Sequence, residues 1–139
     1  MSATLYLLDT NIVSHMMRNA TGQAMQRVRA LTSANVDSRL CTSVIVECEL
    51  QFGILRTSSP RWKARFEEAM ALLVVMPLDD TACEPYAQLR RQLEQAGTPI
   101  GANDSLIAAH ALALGATLVT NDAEFSRVPG LTVENWLQP

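Results

Sequence analysis

Along almost its whole length the chain alternates short apolar runs with stretches of helical spacing. A chain patterned this way folds as a mostly parallel sheet with helices on both faces, because parallel strands need long crossovers and are covered on both sides. The first strand is expected at about Thr4 to Leu8, followed by a helix near Asn11 to Arg18 and a second from about Gly22 to Leu31. A short strand near Arg39 to Thr42 leads into a helix from Val44 to about Arg56. Pro60 fits the first turn of the next helix, which runs to about Leu73. Val74 to Pro77 reads as a short buried strand, and Asp79-Asp80-Thr81 as the cap of a long helix to about Ala96, ended by Gly97. Asn103 or Asp104 is expected to cap the helix that stops at Gly115. Strands at Thr117 to Thr120 and near Thr132-Val133 complete the sheet. With 139 residues, no repeat and no linker, one domain over residues 1–139 is the expectation.

Four acids stand where such a sheet ends its strands or opens the following helices. Asp9 closes Leu5-Tyr6-Leu7-Leu8, and Glu49 opens Glu49-Leu50-Gln51-Phe52-Gly53. Asp104 follows Ile100-Gly101-Ala102-Asn103, and Asp122 follows the strand Thr117-Leu118-Val119-Thr120. Ligands of doubly wound sheets bind outside the carboxyl ends of the strands, so acids far apart in sequence converge there. Carboxylates sharing a pocket repel one another unless a cation neutralises them. Oxygen donors with little His or Cys suit Mg²⁺ or Mn²⁺, which points to metal-dependent phosphoryl transfer. Each acid also has a plainer reading: Asp9 and Asp104 as caps or first-turn acids, Asp122 as a turn residue. Glu47 competes with Glu49, because two helical residues that close face nearly opposite ways. Glu49 shares its face with Ile45, Phe52 and Gly53, which favours it.

Composition removes several classes. Charged residues are 18% and apolar ones 48%, so the chain is neither disordered nor fibrous. No apolar run approaches the roughly 18 residues that cross a bilayer, and the N-terminus does not read as a secretory signal. Cys41, Cys48 and Cys83 form no CxxC pair and read as buried reduced thiols, which suits the cytoplasm. His15 and His110 lack metal-ligand spacing; His110 reads as structural, and Trp62 and Trp136 as packing residues. There is no phosphate-binding glycine loop or dinucleotide fingerprint. A haloacid-dehalogenase-type phosphatase needs a second acid where Asn11 stands and a lysine at a strand end, yet Lys63 is the only lysine. The same lack counts against a receiver domain.

Taken together, Leu7-Leu8-Asp9-Thr10-Asn11, Glu49-Leu50-Gln51-Phe52-Gly53, Pro99 to Asp104 and Leu118 to Asp122 resemble the PIN-domain ribonucleases. Within that family they resemble the VapC-like toxins of bacterial toxin–antitoxin pairs, as does the tail Phe125 to Leu131 with Glu134-Asn135-Trp136. The resemblance runs nearly end to end and implies a three-layer α/β/α domain with a mostly parallel central sheet. It places the family's metal-binding and catalytic acids on Asp9, Glu49, Asp104 and Asp122, settles Glu49 over Glu47, and makes Thr10, Asn11 and Thr120 their polar support. Relatives often carry a slightly longer segment before the phenylalanine matching Phe125, so the fourth acid is Asp122 or Glu124. The implied chemistry is Mg²⁺- or Mn²⁺-dependent cleavage of RNA, leaving a 5′-phosphate and a 3′-hydroxyl, to inhibit translation and growth. The implied partner is a small VapB-like antitoxin, in an assembly based on a homodimer. The alternative is a non-catalytic RNA- or protein-binding module with merely structural acids; metal-dependent RNA turnover separates the two.

Two features suggest where a partner docks. The stretch Val44 to Leu73 carries Ile45, Leu50, Phe52, Ile54, Leu55, Trp62 and Phe66, more large apolar groups than one buried face absorbs. The net charge is −3, yet Arg56, Arg61, Lys63 and Arg65 lie together with no acid between Leu50 and Phe66. This basic patch is suited to pairing with acids on an antitoxin tail.

Overall fold

The computed structural model describes residues 4–34 and 38–137. Its five strands are β1 (Thr4–Leu8), β2 (Ser38–Ser43), β3 (Val74–Met76), β4 (Thr117–Val119) and β5 (Val133–Glu134). They pair only in parallel, in the order β3-β2-β1-β4-β5. β1 is central, with Leu7 opposite Cys41 on one side and Leu118 on the other. Successive residues of β1 point to opposite faces, yet Leu7 and Leu8 are both fully buried because helices cover each face.

The helices are α1 (Thr10–Arg18), α2 (Gln23–Ser33), α3 (Val44–Thr57), α4 (Pro60–Met70), α5 (Cys83–Gln95) and α6 (Ala102–Leu114). From β1 the chain steps outward through β2 to β3, then returns to the far side of β1 through β4 and β5. With right-handed crossovers, this reversal puts α1 to α4 on one face and α5 and α6 on the other. It also opens a crevice at the carboxyl ends of β1 and β4. The core between sheet and helices holds Ile12, Val13, Met16, Val28, Val46, Leu89, Ile107 and Phe125, all nearly fully buried. Trp136 packs edge-to-face on Tyr6, with ring centroids 5.3 Å apart. No helix among the described residues is long and apolar enough to cross a membrane.

Local chemistry sets the helix ends, and the structure departs from expectation at several points. α6 starts two or three residues earlier than expected, on Gly101 as an extended cap with no side-chain hydrogen bond. Neither Asn103 nor Asp104 caps it; both lie in its first turn with side chains free for other partners. The long helix expected after Asp79 is split into a 3₁₀ turn at Asp80–Ala82 and α5. Pro85 has no N–H to return to the carbonyl four residues back, so a tighter turn precedes the α-helix. β3 is a sheet edge rather than a buried strand, because it pairs with β2 alone and Val74 is 62% exposed. Of the cysteines only Cys41 is buried, where burial pushes its thiol up to about 12; Cys48 and Cys83 are exposed on helix surfaces.

Truncating the core should therefore cost far more than truncating the surface. Ile107→Ala should destabilise by about 2–5 kcal/mol, whereas Leu55→Ala, at a site 77% exposed, should stay within about 0.5 kcal/mol of wild type. Urea denaturation checks both; equal midpoints for the two variants would contradict this packing.

Candidate active site

Asp9 extends β1 by one residue: its N–H donates to the Val119 carbonyl at 2.9 Å, at the β1–β4 junction. Its side chain is 4% exposed and held by three donors. Oδ1 accepts from the Thr10 N–H at 2.8 Å, and Oδ2 from the Thr120 hydroxyl at 2.8 Å and Asn11 Nδ2 at 3.1 Å. A carboxylate offers about four acceptor positions, so one remains open. Asn11 also donates to Thr120 Oγ1 and accepts from the Asn121 N–H, each at 3.1 Å, which ties the start of α1 to the loop after β4. Burial raises the Asp9 pKa; the bonds from Thr10 and Thr120 oppose this, and Glu49 and Asp122 add to it.

Glu49 comes from α3, whose N-cap Ser43 accepts from the Ile45 N–H at 3.1 Å. Its Oε1 accepts from the Thr10 hydroxyl at 2.6 Å and its Oε2 from Asn103 Nδ2 at 3.5 Å. Glu47 makes no side-chain hydrogen bond among the described residues. One part of the facing argument fails: Phe52, expected beside Glu49, is 62% exposed and points outward. The residues that accompany Glu49 inward are Leu50, Gly53 and Ile54.

Asp104 enters from the first turn of α6 and receives no hydrogen bond among the described residues, so its lone pairs are free. Burial pushes its carboxyl up to about 6, with further increments from Asp9, Asp122, Glu49 and Glu124. Asp122 caps a 3₁₀ turn at Ala123–Arg127 by accepting from the Glu124 N–H at 2.9 Å. One carboxylate oxygen from each of Asp104, Asp122 and Glu124 lies within 4.8 Å of the others. The loop after β4 thus presents both candidates for the fourth acid. They differ in setting: Asp122 is half-buried, whereas Glu124 is exposed and lies 3.8 Å from Arg127.

The crevice therefore gathers five carboxylates, and Arg127 is the one base that ion-pairs with any of them among the described residues. Asp104 with all its lone pairs open and Asp9 with one make a hard-oxygen donor set short of positive charge. Such a set fits a divalent metal ion. Thr10 donates to Glu49, and Asn11 and Thr120 donate to Asp9. Asn103 was missed as a site residue, having been read only as a cap; its signal was its place beside Asp104.

Next to Glu49 and Thr10 opens a groove of about 310 Å³ between α1, α3 and α4, with Met17, Leu50, Ile54 and Trp62 on its walls. The basic stretch beside it is less free than its composition suggests. Arg65 donates to the Met17 carbonyl at 3.0 Å and Arg56 lies 5.5 Å above the Phe52 ring, while Arg61 and Lys63 face solvent.

Residues 6–131 match the PIN domain family. Ribonuclease VapC2 of Rickettsia felis is 35% identical over 134 residues, 95% of this chain and 98% of the relative. The tRNA(fMet)-specific endonuclease VapC of Salmonella typhimurium is 35% identical over 94% of this chain and 97% of its own length. The structure of VapBC2 from Rickettsia felis bound to a promoter DNA fragment matches with a TM-score of 0.85 at 34% identity, covering 96% of this chain and 99% of that one. DNA-bound VapBC from Salmonella typhimurium matches with a TM-score of 0.81 at 32% identity, covering 98% and 99%. Similarity of this extent, over nearly the whole length of the chain, makes the chain a member of the PIN-domain family in its VapC branch.

Proposed function

We propose that the chain is a Mg²⁺-dependent endoribonuclease that acts as a cytoplasmic toxin and is neutralised by a small antitoxin. The observation that carries this reading is the convergence of Asp9, Glu49, Asp104 and Asp122 at the β1–β4 crevice without enough positive charge to balance them. The relatives' names, a ribonuclease and a tRNA(fMet)-specific endonuclease, support RNA as substrate. Asp9 and Asp104 would hold Mg²⁺, with Mn²⁺ as a substitute, and Glu49 and Asp122 would complete the acidic ring. When bound, such an ion supplies a Lewis acid that lowers the pKa of water and offsets charge on a scissile phosphate. The protein's own part is placement. Thr120 and Asn11 orient Asp9, and Thr10 orients Glu49, so neither carboxylate has to reorganise when substrate arrives. The apolar groove beginning at Glu49 offers an antitoxin segment a site from which to block access to the acids, and the VapBC complexes among the structural relatives support this partner. Exposed Phe52 and Leu55 add apolar surface for an assembly based on a homodimer.

Asp9→Asn and Asp104→Asn should each lower cleavage of a small RNA panel that includes tRNA(fMet) by at least about a hundredfold. Cleavage by wild type that persists in excess EDTA would overturn the metal requirement. Stability should move the other way. The contribution of protonated Asp104 is present below the ordinary carboxylate range and lost as pH rises through about 6. In EDTA, Asp104→Asn should therefore melt above wild type at about pH 7.5, and the gap should close towards about pH 4; a gap independent of pH would contradict a carboxyl raised by burial and by its acidic neighbours.

Glu49→Gln should be severe and Glu47→Gln mild, since only Glu49 reaches Thr10 and Asn103. Equal losses on one RNA substrate would remove Glu49 from the site. In bacteria, the chain expressed alone should arrest growth, and Asp9→Asn should relieve the arrest. Normal growth with confirmed wild-type expression would count against a toxin.

A further inference from the structure

Six polar residues among the described ones are buried: Asp9, Thr42, Ser43, Ser105, His110 and Thr120. A polar group in a packed interior costs stability unless it is bonded, and apolar side chains of similar volume do the packing as well. The positions of these six are therefore informative. Thr120 holds Asp9. Thr42 donates to the Leu8 carbonyl at 2.6 Å, directly before Asp9. Ser105 donates to the Gly101 carbonyl at 2.9 Å, at the cap of the helix carrying Asp104. Each of these bonds pins a segment that presents an acid. The remaining pair, Ser43 and His110, joins two such segments, with His110 Nδ1 2.8 Å from Ser43 Oγ.

We infer that His110 is a positioning residue for the proposed site, acting through Ser43 to hold the helix that carries Glu49 against the helix that carries Asp104. The inference rests on the nuclease reading above. Ser43 stands six residues before Glu49 and His110 six residues after Asp104, so the pair lies roughly 9 Å from each acid along its helix axis. Ser43 Oγ already accepts the Ile45 N–H as the cap of α3. The hydroxyl can donate to His110 Nδ1 or accept from it with its second lone pair, so the bridge holds in either neutral tautomer of the imidazole. The Pro77 carbonyl lies near the ring, but Nε2 has no partner in hydrogen-bonding geometry. Burial keeps the ring below its ordinary pKa, against the opposing pull of Pro77 and Asp79. The other tie between Glu49 and α6 is the exposed 3.5 Å contact from Asn103, too long and too wet to set helix spacing alone.

The test uses the full chain with Mn²⁺ titrated by calorimetry, RNA cleavage below every melting point, and thermal melts. His110→Leu and Ser43→Ala should each lose roughly 10- to 100-fold in Mn²⁺ affinity and kcat, the range seen when groups orienting metal ligands are removed. The double variant should lose no more than the worse single, because the two act as one unit. His110→Asn, which places an amide where Nδ1 sits, should recover most of both quantities. Folded His110→Leu with Mn²⁺ affinity and kcat within twofold of wild type, even at a lower Tm, would overturn the proposal, as would fully additive losses. If His110→Leu does not fold, Ser43→Ala against His110→Asn decides on the same readouts. A wild-type chain that binds Mn²⁺ but cleaves no RNA would overturn the nuclease reading, while the Mn²⁺ affinities would still decide the positioning role.

Discussion

The Thr120 hydroxyl donating to the Asp9 carboxylate across the β1–β4 junction is the contact on which the crevice depends. It joins residues 111 positions apart in sequence, at the one place where the sheet reverses its winding. Asn11 reinforces it from α1 and the Asp122 N–H adds a third bond to the same hydroxyl. The ends of both central strands, the start of α1 and the loop after β4 therefore become one rigid edge. A buried carboxylate there is tolerable only because three donors replace the water it lost.

That edge is built against the electrostatic grain. Asp104, driven up to about 6, is surrounded by carboxylates that each raise its pKa further. A fold selected for stability alone would separate such groups or place bases among them. Among the described residues only Arg127 reaches one of these acids, Glu124, and it also donates to the Pro99 carbonyl, while Arg65 is engaged by the Met17 carbonyl. Local conflict of this kind, inside an otherwise consistent fold, is where function is expected.

The surface beside the crevice continues the same logic. A groove that begins at Glu49 and runs along apolar side chains of α1, α3 and α4 couples occupancy of the groove to access to the acids. Outside it, α3 turns Phe52 and Leu55 to solvent, so the surplus of apolar residues read in this stretch is partly a surface and not all core.

The sequence alone was enough to show alternating strands and helices, the order of the acids and the place of Asp9 and Asp122 after strands, because periodicity and turn chemistry are local properties. It also carried most of the boundaries, including Pro60 at the start of α4 and Gly115 at the end of α6. It did not show that Val74 lies on a sheet edge, since an apolar strand looks the same whether one neighbour or two will cover it. Nor did it separate Asp122 from Glu124, or reveal Asn103 as a partner of Glu49, because side-chain convergence depends on how far apart two helices and a loop are held. The pairing of Ser43 with His110 was equally hidden: 67 residues of chain separate them, and only packing α6 against the start of α3 brings a hydroxyl to an imidazole. Local pattern determined which elements form and most of the residues that face inward, though not Phe52, Cys48 or Cys83. Tertiary structure decided which polar groups meet, because a buried hydrogen bond exists only once the surrounding core has fixed both partners within its short range.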